Sequence, residues 1–342
     1  MGGDRREKRG GHPCLTRHTL AVVEAGLVRE RKMKQLEGKV ALITGAAQGG
    51  TGTSMAIRFA AEGAKVGICA RDEAGLQETA GRIREVGGEA LVLPCDIGDP
   101  HGGRDALVAR TEDAFGPIDI LVNNAVKHEL KRIWEWSLAD LQSDGEVNLW
   151  GPWVMITQVL PGMMERGQGW ILNMSSMGAE LPPGPPYEVS SRNISALYGA
   201  MKGAVNHMTV LGAVELKDKG VAMNTLAPQR SILTKRMHDS TIVKDKSICE
   251  PMETMAEAAL ALCSGDPKVL TGRIALSLQL LVELQRPVFD LTGTKLVDGW
   301  QPDDLVKAIH YREDWTEKYL HWPNTYEFHR AQTPYPDVLR RN

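Results

Sequence analysis

Val40-Ala-Leu-Ile-Thr44-Gly45-Ala-Ala-Gln-Gly49-Gly50-Thr51-Gly52-Thr-Ser-Met-Ala56-Ile-Arg-Phe-Ala60 decides the fold. Val40 to Ile43 is a short apolar run that suits a strand buried on both faces. Thr53 to Ala61 has helical spacing and stops at Gly63. Between them lies a glycine-rich turn. A strand that enters a helix through such a turn presents backbone N–H groups and a helix N-terminus to an anion. Outward from it the alternation continues. Strands are expected at Val66–Cys69, Ala90–Leu93, Ile118–Val122, Trp170–Met174, Val221–Leu226 and near Arg273–Leu276. Helices are expected at Glu73–Val86, Gly103–Phe115, Ala196–Leu216 and Met255–Cys263. A longer helix fits Ser137–Met164, bent at Gly151 and Pro152. This order predicts an α/β fold, a doubly wound parallel sheet with helices on both faces.

The 342 residues are 42% hydrophobic with a formal net charge of -3. That supports a sizeable core and gives no reason to expect nucleic acid as a partner. No apolar run reaches the ~20 residues of a membrane span. Five scattered cysteines (Cys14, Cys69, Cys95, Cys249, Cys263) form no Cys-x-x-Cys pair and read as reduced thiols of a cytoplasmic protein. Neither they nor the histidines have metal-ligand spacing, so no metal is expected. Residues 1–36 read as a flexible basic leader, or as upstream sequence with Met33 as the functional start. Residues 37–284 read as the catalytic domain, and 285–342 as an aromatic-rich extension that wraps the domain or a neighbouring subunit.

Tyr198 and Lys202 lie four residues apart, so a helix stacks them on one face. An ammonium beside a phenol favours the phenolate and makes a general acid/base for neutral pH. At the end of the second strand, Ala70 stands where an acid would bind a free ribose 2′-hydroxyl, and Arg71 follows. A guanidinium suits a 2′-phosphate, which favours NADP(H) and leaves NAD(H) open; Asp72 is the ribose acceptor if the register shifts by one.

Thr44-Gly45…Gly50-x-Gly52, Asn123-Asn124-Ala125 and Tyr198-x-x-x-Lys202, in this order, resemble the signature set of the short-chain dehydrogenase/reductase family, in its single-domain branch. The resemblance covers about residues 37 to 280. It implies a Rossmann-like fold and an NAD(P)-dependent oxidoreductase that interconverts an alcohol and a ketone or aldehyde. In that reading Tyr198 is the acid/base and Lys202 its partner. Ser176 steadies charge on the substrate oxygen, with Ser175 as the alternative, and Asn148 holds a relay water. The cofactor would lie against Gly45, Gln48, Gly50, Thr51, Gly52, Arg71, Asp96, Ile97, Asn124, Ala125, Tyr198, Lys202, Pro228 and Ile232. A homodimer or homotetramer is expected. The segment Ala256–Pro267 is similar to citronellol-type and hydroxysteroid-dehydrogenase-like members, which points to an apolar small-molecule substrate.

The chain departs from the family in four places. The glycine loop is one residue longer, with Gly49 as the insertion. Val126 and Gln229 stand where glycines are usual. Ser176 and Tyr198 are 22 positions apart, because a Pro-rich loop containing Tyr187 intervenes. These changes motivate a second reading, a cofactor-binding scaffold without catalysis. A third, an epimerase or dehydratase of the extended branch, would need a larger C-terminal substrate domain. Lys127, His128, Glu129, Trp134 and Trp136 are substrate-side candidates, and Arg230–Glu250 reads as a mobile lid.

Overall fold

The expected strands all form, and they assemble in the order β3-β2-β1-β4-β5-β6-β7 as one parallel sheet. The computed structural model describes residues 34–47, 49–180, 195–234 and 246–309. The strands are β1 (Val40–Thr44), β2 (Lys65–Ala70), β3 (Glu89–Pro94), β4 (Ile120–Asn123), β5 (Gly169–Met174), β6 (Val221–Ala227) and β7 (Ile274–Leu276). The helices are α1 (Thr51–Ala61), α2 (Glu73–Glu85), α3 (Leu107–Phe115), α4 (Leu138–Gly145), α5 (Gly151–Arg166), α6 (Ala196–Glu215), α7 (Met252–Ser264), α8 (Ser277–Glu283) and α9 (Pro302–Ile309). Strand order reverses between β1 and β4, so the chains leaving these two neighbours diverge. That divergence opens a crevice at the carboxyl edge of the sheet.

Each strand feeds two cores because successive side chains point to opposite faces. Ala41 and Ile43 of β1 join Met55 and Phe59 of α1 and Leu260 of α7. Val40 and Leu42 join Leu107 of α3, Met155 of α5 and Leu216, just past α6. Ile120 and Val122 share the first cluster, and Leu121 the second. Beyond α8, Val288, Phe289, Leu291 and Leu305 are buried, so this part of the C-terminal extension packs on the domain.

The long helix expected over Ser137–Met164 is interrupted earlier than expected. A π-helical turn, Glu146–Trp150, separates α4 from α5, and Gly151 N–H donates to the Glu146 carbonyl five residues back. Pro152 explains it. Proline has no N–H to give to the carbonyl four residues earlier, that of Asn148, and its ring crowds that oxygen. Gly151 also presses on Ile97, leaving no room for a side chain.

α1 is tied to α7 by a buried charge network. Arg58, fully buried, bonds Glu62 at 2.7 Å and Glu257 at 3.1 Å. Arg286 takes the other oxygen of Glu257 at 2.8 Å. Removing one member of such a buried set leaves an uncompensated charge. Glu257→Ala is therefore expected to cost about 3–5 kcal/mol of stability, read from urea unfolding, whereas exposed Glu78→Ala should change it by less than about 0.5 kcal/mol.

Candidate active site

The crevice between β1 and β4 is built by two glycines and an asparagine. Gly45 has φ +69°, and a Cβ there would lie 2.7 Å from Ala125 Cα. A Cβ on Gly52 would run into the Gly45 carbonyl and the Asn124 amide. Asn124 Nδ2 donates to the carbonyls of Thr44 (2.9 Å) and Gly45 (3.0 Å), and its Oδ1 accepts from Thr51 Oγ1 at 2.7 Å. Thr44 Oγ1 accepts from the N–H groups of Asn124 and Ala125. The inserted Gly49 takes up a left-handed conformation, φ +65°. Gly50 then begins α1 with open space where a side chain would be. No acidic residue stands in the first turn of α1 to compete for its N–H groups. This cradle fits a pyrophosphate. Gln48 lies outside the described residues.

At the next strand end, Arg71 is exposed and its Nη1 lies 3.7 Å from Asp96 Oδ2. Asp72, the alternative ribose acceptor, caps α2 by accepting from Gly75 N–H at 3.0 Å. Asp96 also accepts from Gly98 N–H at 2.9 Å, and Ile97 is buried beneath it.

Tyr198 and Lys202, the pair expected to act as acid/base, lie in the first two turns of α6. Ser195 begins α6 and accepts from Tyr198 N–H at 3.4 Å. Gly199 lets α6 close on the turn that follows Ser176: a Cβ there would lie 2.6 Å from the Gly178 carbonyl. This glycine, between Tyr198 and Lys202, was not singled out from the sequence. It brings the Tyr198 phenol into hydrogen-bond contact with the Ser176 hydroxyl. Ser176 Oγ also accepts from Gly178 N–H at 3.0 Å. Ser175 is buried and its N–H bonds the Leu226 carbonyl at 2.8 Å, so it steadies the strand end.

Lys202 is buried, and its Nζ donates to the Met174 carbonyl at 2.7 Å, 5.7 Å from the centre of the Tyr198 ring. Burial pushes this amine down to about 8. The phenol is not lowered as the Tyr/Lys spacing implied. Burial raises it, and the Ser176 hydrogen bond works in the other direction. The physical reason is that Lys202 is turned to a backbone carbonyl in a dry site, where loss of water disfavours both charged forms.

Asn148 lies in the π-helical turn. Its Nδ2 donates to the Lys127 carbonyl at 2.8 Å, and its Oδ1 accepts from Lys127 N–H at 3.3 Å. The side chain thus fixes the segment after β4 that carries His128, whose ring lies tilted against Tyr198 with centroids 4.3 Å apart. Lys127 Nζ meets Asp144 at 2.9 Å, and Lys131 lies over the Trp136 ring at 4.9 Å. Trp134 is exposed. Pro228 and Gln229 follow β6, and Ile232 pairs with Glu250, a buried carboxyl that sequence reading missed. Tyr187 and its loop, and residues 235–245 of the expected lid, lie outside the described residues.

The pattern for short chain dehydrogenases matches residues 39–241. The chain belongs to the short chain dehydrogenase family. It is 32% identical over 246 residues to 2,5-dichloro-2,5-cyclohexadiene-1,4-diol dehydrogenase LinX of Sphingobium indicum, covering 70% of this chain and 94% of LinX. A solved 7α-hydroxysteroid dehydrogenase, complexed with NADH and 7-oxo glycochenodeoxycholic acid, superposes with TM-score 0.62 at 30% identity, over 70% of this chain and 93% of its own. A mutant short-chain dehydrogenase/reductase of Serratia marcescens gives TM-score 0.62 at 26% identity, over 71% and 97%. Membership makes the chain an NAD(P)-dependent oxidoreductase that interconverts an alcohol and a ketone or aldehyde. Among the described residues no helix is long and apolar enough to cross a membrane, and no cluster of His, Cys, Asp and Glu is placed to hold a metal.

The Lys202 shift has a stability consequence. Its folded value, about 8, lies below the ordinary lysine value of 10.5. The cost of burying the ammonium is therefore fully present below about pH 8 and disappears as pH rises toward the ordinary value. Lys202→Met is expected to stabilise the protein at pH 7 by about 1–3 kcal/mol. The advantage should shrink above about pH 8, checked by chemical denaturation across that range.

Proposed function

We propose that this protein is an NADP(H)-preferring dehydrogenase or reductase acting on the CH–OH group of an apolar substrate, with Tyr198 as acid/base. The observation that carries the reading is the meeting of Ser176, Tyr198 and buried Lys202 at the carboxyl edge of the sheet, beside the Gly45–Gly52 cradle. When bound, the nicotinamide supplies or accepts the hydride. Gly45, Gly50, Thr51 and Gly52, with Gln48, would hold the pyrophosphate. Asp96, Ile97, Asn124 and Ala125 would line the adenosine side. Pro228 and Ile232 would flank the nicotinamide. Arg71 supports a 2′-phosphate, because Ala70 offers no acceptor for a free hydroxyl and Asp72 is held as a helix cap.

In reduction, Tyr198 gives its proton to the carbonyl oxygen, and the Ser176 hydroxyl steadies the negative charge that develops there. The burial that raises the phenol keeps this proton in place at neutral pH. Lys202 holds the ribose side of the site. Asn148 acts through its backbone: its side chain is engaged with Lys127, and Pro152 withholds the helical N–H from its carbonyl, which makes that oxygen the candidate acceptor for a relay water.

The substrate class rests on the walls of the site and on relatives. The His128 ring covers Tyr198. LinX is named for a chlorinated ring diol, and the solved hydroxysteroid dehydrogenase holds a steroid ketone. We read the substrate as a cyclic, largely apolar secondary alcohol or its ketone. Trp150, Trp153, Leu211 and Val214 are exposed on and beside α5 and α6, which supports a homo-oligomer built on those helices. The free thiols of Cys69, Cys95, Cys249 and Cys263 fit the cytoplasm.

A titration of wild-type protein with NADPH and NADH, followed by a screen of cyclic ketones and alcohols, tests the reading. Tyr198→Phe should retain dinucleotide binding and lose activity by about 10²–10⁴-fold. Because the phenol is raised, wild-type alcohol oxidation should climb with pH through the alkaline range, while ketone reduction holds through neutrality. Unchanged reduction in Tyr198→Phe would remove the acid/base assignment. Arg71→Ala should weaken NADPH binding by about ten- to a hundredfold and leave NADH binding within about twofold, measured by fluorescence titration.

A further inference from the structure

Glu250 is fully buried, and none of the chemistry above uses it. Its carboxyl gathers donors from three stretches of chain. Oε1 accepts from Arg230 N–H at 3.0 Å and from Ser277 Oγ at 2.9 Å. Oε2 lies 2.8 Å from the same Ser277 Oγ and accepts from Thr254 Oγ1 at 2.6 Å. Gln229 N–H also bears on the group and bonds Ser277 Oγ at 3.1 Å. The backbone of Glu250 repeats the attachment: its N–H donates to the Ser231 carbonyl, and its carbonyl accepts from Leu233 N–H, each at 3.0 Å. Residues 229–233 leave the carboxyl end of β6, the edge where a nicotinamide would lie.

We propose that Glu250 is a positioning residue for the dinucleotide: its carboxylate fixes the Gln229–Leu233 segment against the β7–α8 junction, and binding tightens when that carboxylate is ionised. The inference rests on the cofactor reading given above. An ionised carboxylate accepts from every one of these donors. A protonated one carries its own O–H, which must turn a hydroxyl around and loosens the attachment. Burial pushes the group up to about 7, with the hydrogen bonds from Thr254, Arg230, Ser277 and Gln229 acting against it. The charged groups on the elements packed around it are Arg230, which lies over Trp300, with Lys246, Glu253, Glu257 between Arg58 and Arg286, and Arg273 with Glu283. The change of charge therefore falls in the neutral range.

The test measures Kd for NADPH and for NADH by fluorescence titration, in wild type, Glu250→Gln and Ser277→Ala. The ratio of the Glu250→Gln Kd to the wild-type Kd should rise about threefold or more from about pH 6 to about pH 8. Taking the ratio cancels the titration of the probe's own phosphate. Ser277→Ala keeps the carboxyl but removes the hydroxyl that touches both oxygens, so the wild-type midpoint should move to higher pH. A ratio that stays constant across this range overturns the proposal, since a purely structural role weakens binding equally at each pH. If Glu250→Gln does not fold, an unmoved midpoint in Ser277→Ala overturns it. Failure of both dinucleotides to bind wild-type protein removes the cofactor reading and this proposal with it. Binding with unaltered pH dependence in the variants removes this proposal alone.

Discussion

The contact between Gly45 and Asn124 is the constraint on which the rest of the site depends. Strands β1 and β4 are neighbours, but the chains that leave them part, and a crevice results only if their first residues are held at a fixed separation. Asn124 does this by bonding the carbonyls of Thr44 and Gly45 with one amide group. Its oxygen takes the Thr51 hydroxyl, which draws the first turn of α1 into the same junction. Any side chain at position 45 or 52 would occupy the space that this junction closes. Three elements are therefore positioned by one side chain and two absent ones. The first turn of α1 accordingly begins at Gly50 without a side-chain cap.

For Tyr198 and Lys202, placement is bought with unfavourable burial. Lys202 reaches the Met174 carbonyl through the interior, and Tyr198 is half-buried beside it. Both shifts favour the neutral forms, so at neutral pH the proton rests on Tyr198. The Tyr/Lys spacing alone describes two groups on a helix face. The dry environment decides which of them holds a proton, and that environment comes from β5, β6 and the turn after Ser176.

This difference also explains what was legible in the sequence. Val40–Ile43, Trp170–Met174 and Val221–Leu226 were readable because a buried parallel strand carries its signal in consecutive residues. Tyr198 and Lys202 were readable because one helix fixes their relation. The sequence places the bend at Gly151 and Pro152 themselves, but the π-helical turn lies just before them, at Glu146–Trp150. A proline acts on the carbonyl four residues earlier, so the irregular turn had to lie before it, around Asn148. Glu250 was not legible at all: its partners Arg230 and Ser277 are 20 and 27 residues away in the chain. The direction of the Tyr198 shift was not legible either, since burial sets it and Met174, 28 residues from Lys202, takes the amine.

One departure from the family pattern, Gln229, acquires a meaning in the structure. Gln229, in place of a glycine, is one of the changes that motivate a scaffold without catalysis. Its side-chain oxygen accepts from Gln279 N–H at 3.2 Å, and its own N–H reaches Ser277 Oγ. Both partners belong to α8, which starts directly after the three residues of β7. A glycine could make the second bond but not the first. The substitution and the early helix thus form one device, which ties the end of β6 to an element that follows β7. Glu250 completes it by accepting from Ser277 between them. The β6 end of this crevice is therefore held by side-chain hydrogen bonds where a glycine would leave the backbone to set its own course. That makes it the part of the site where a change of one polar residue should alter cofactor geometry without disturbing the Asn124 junction.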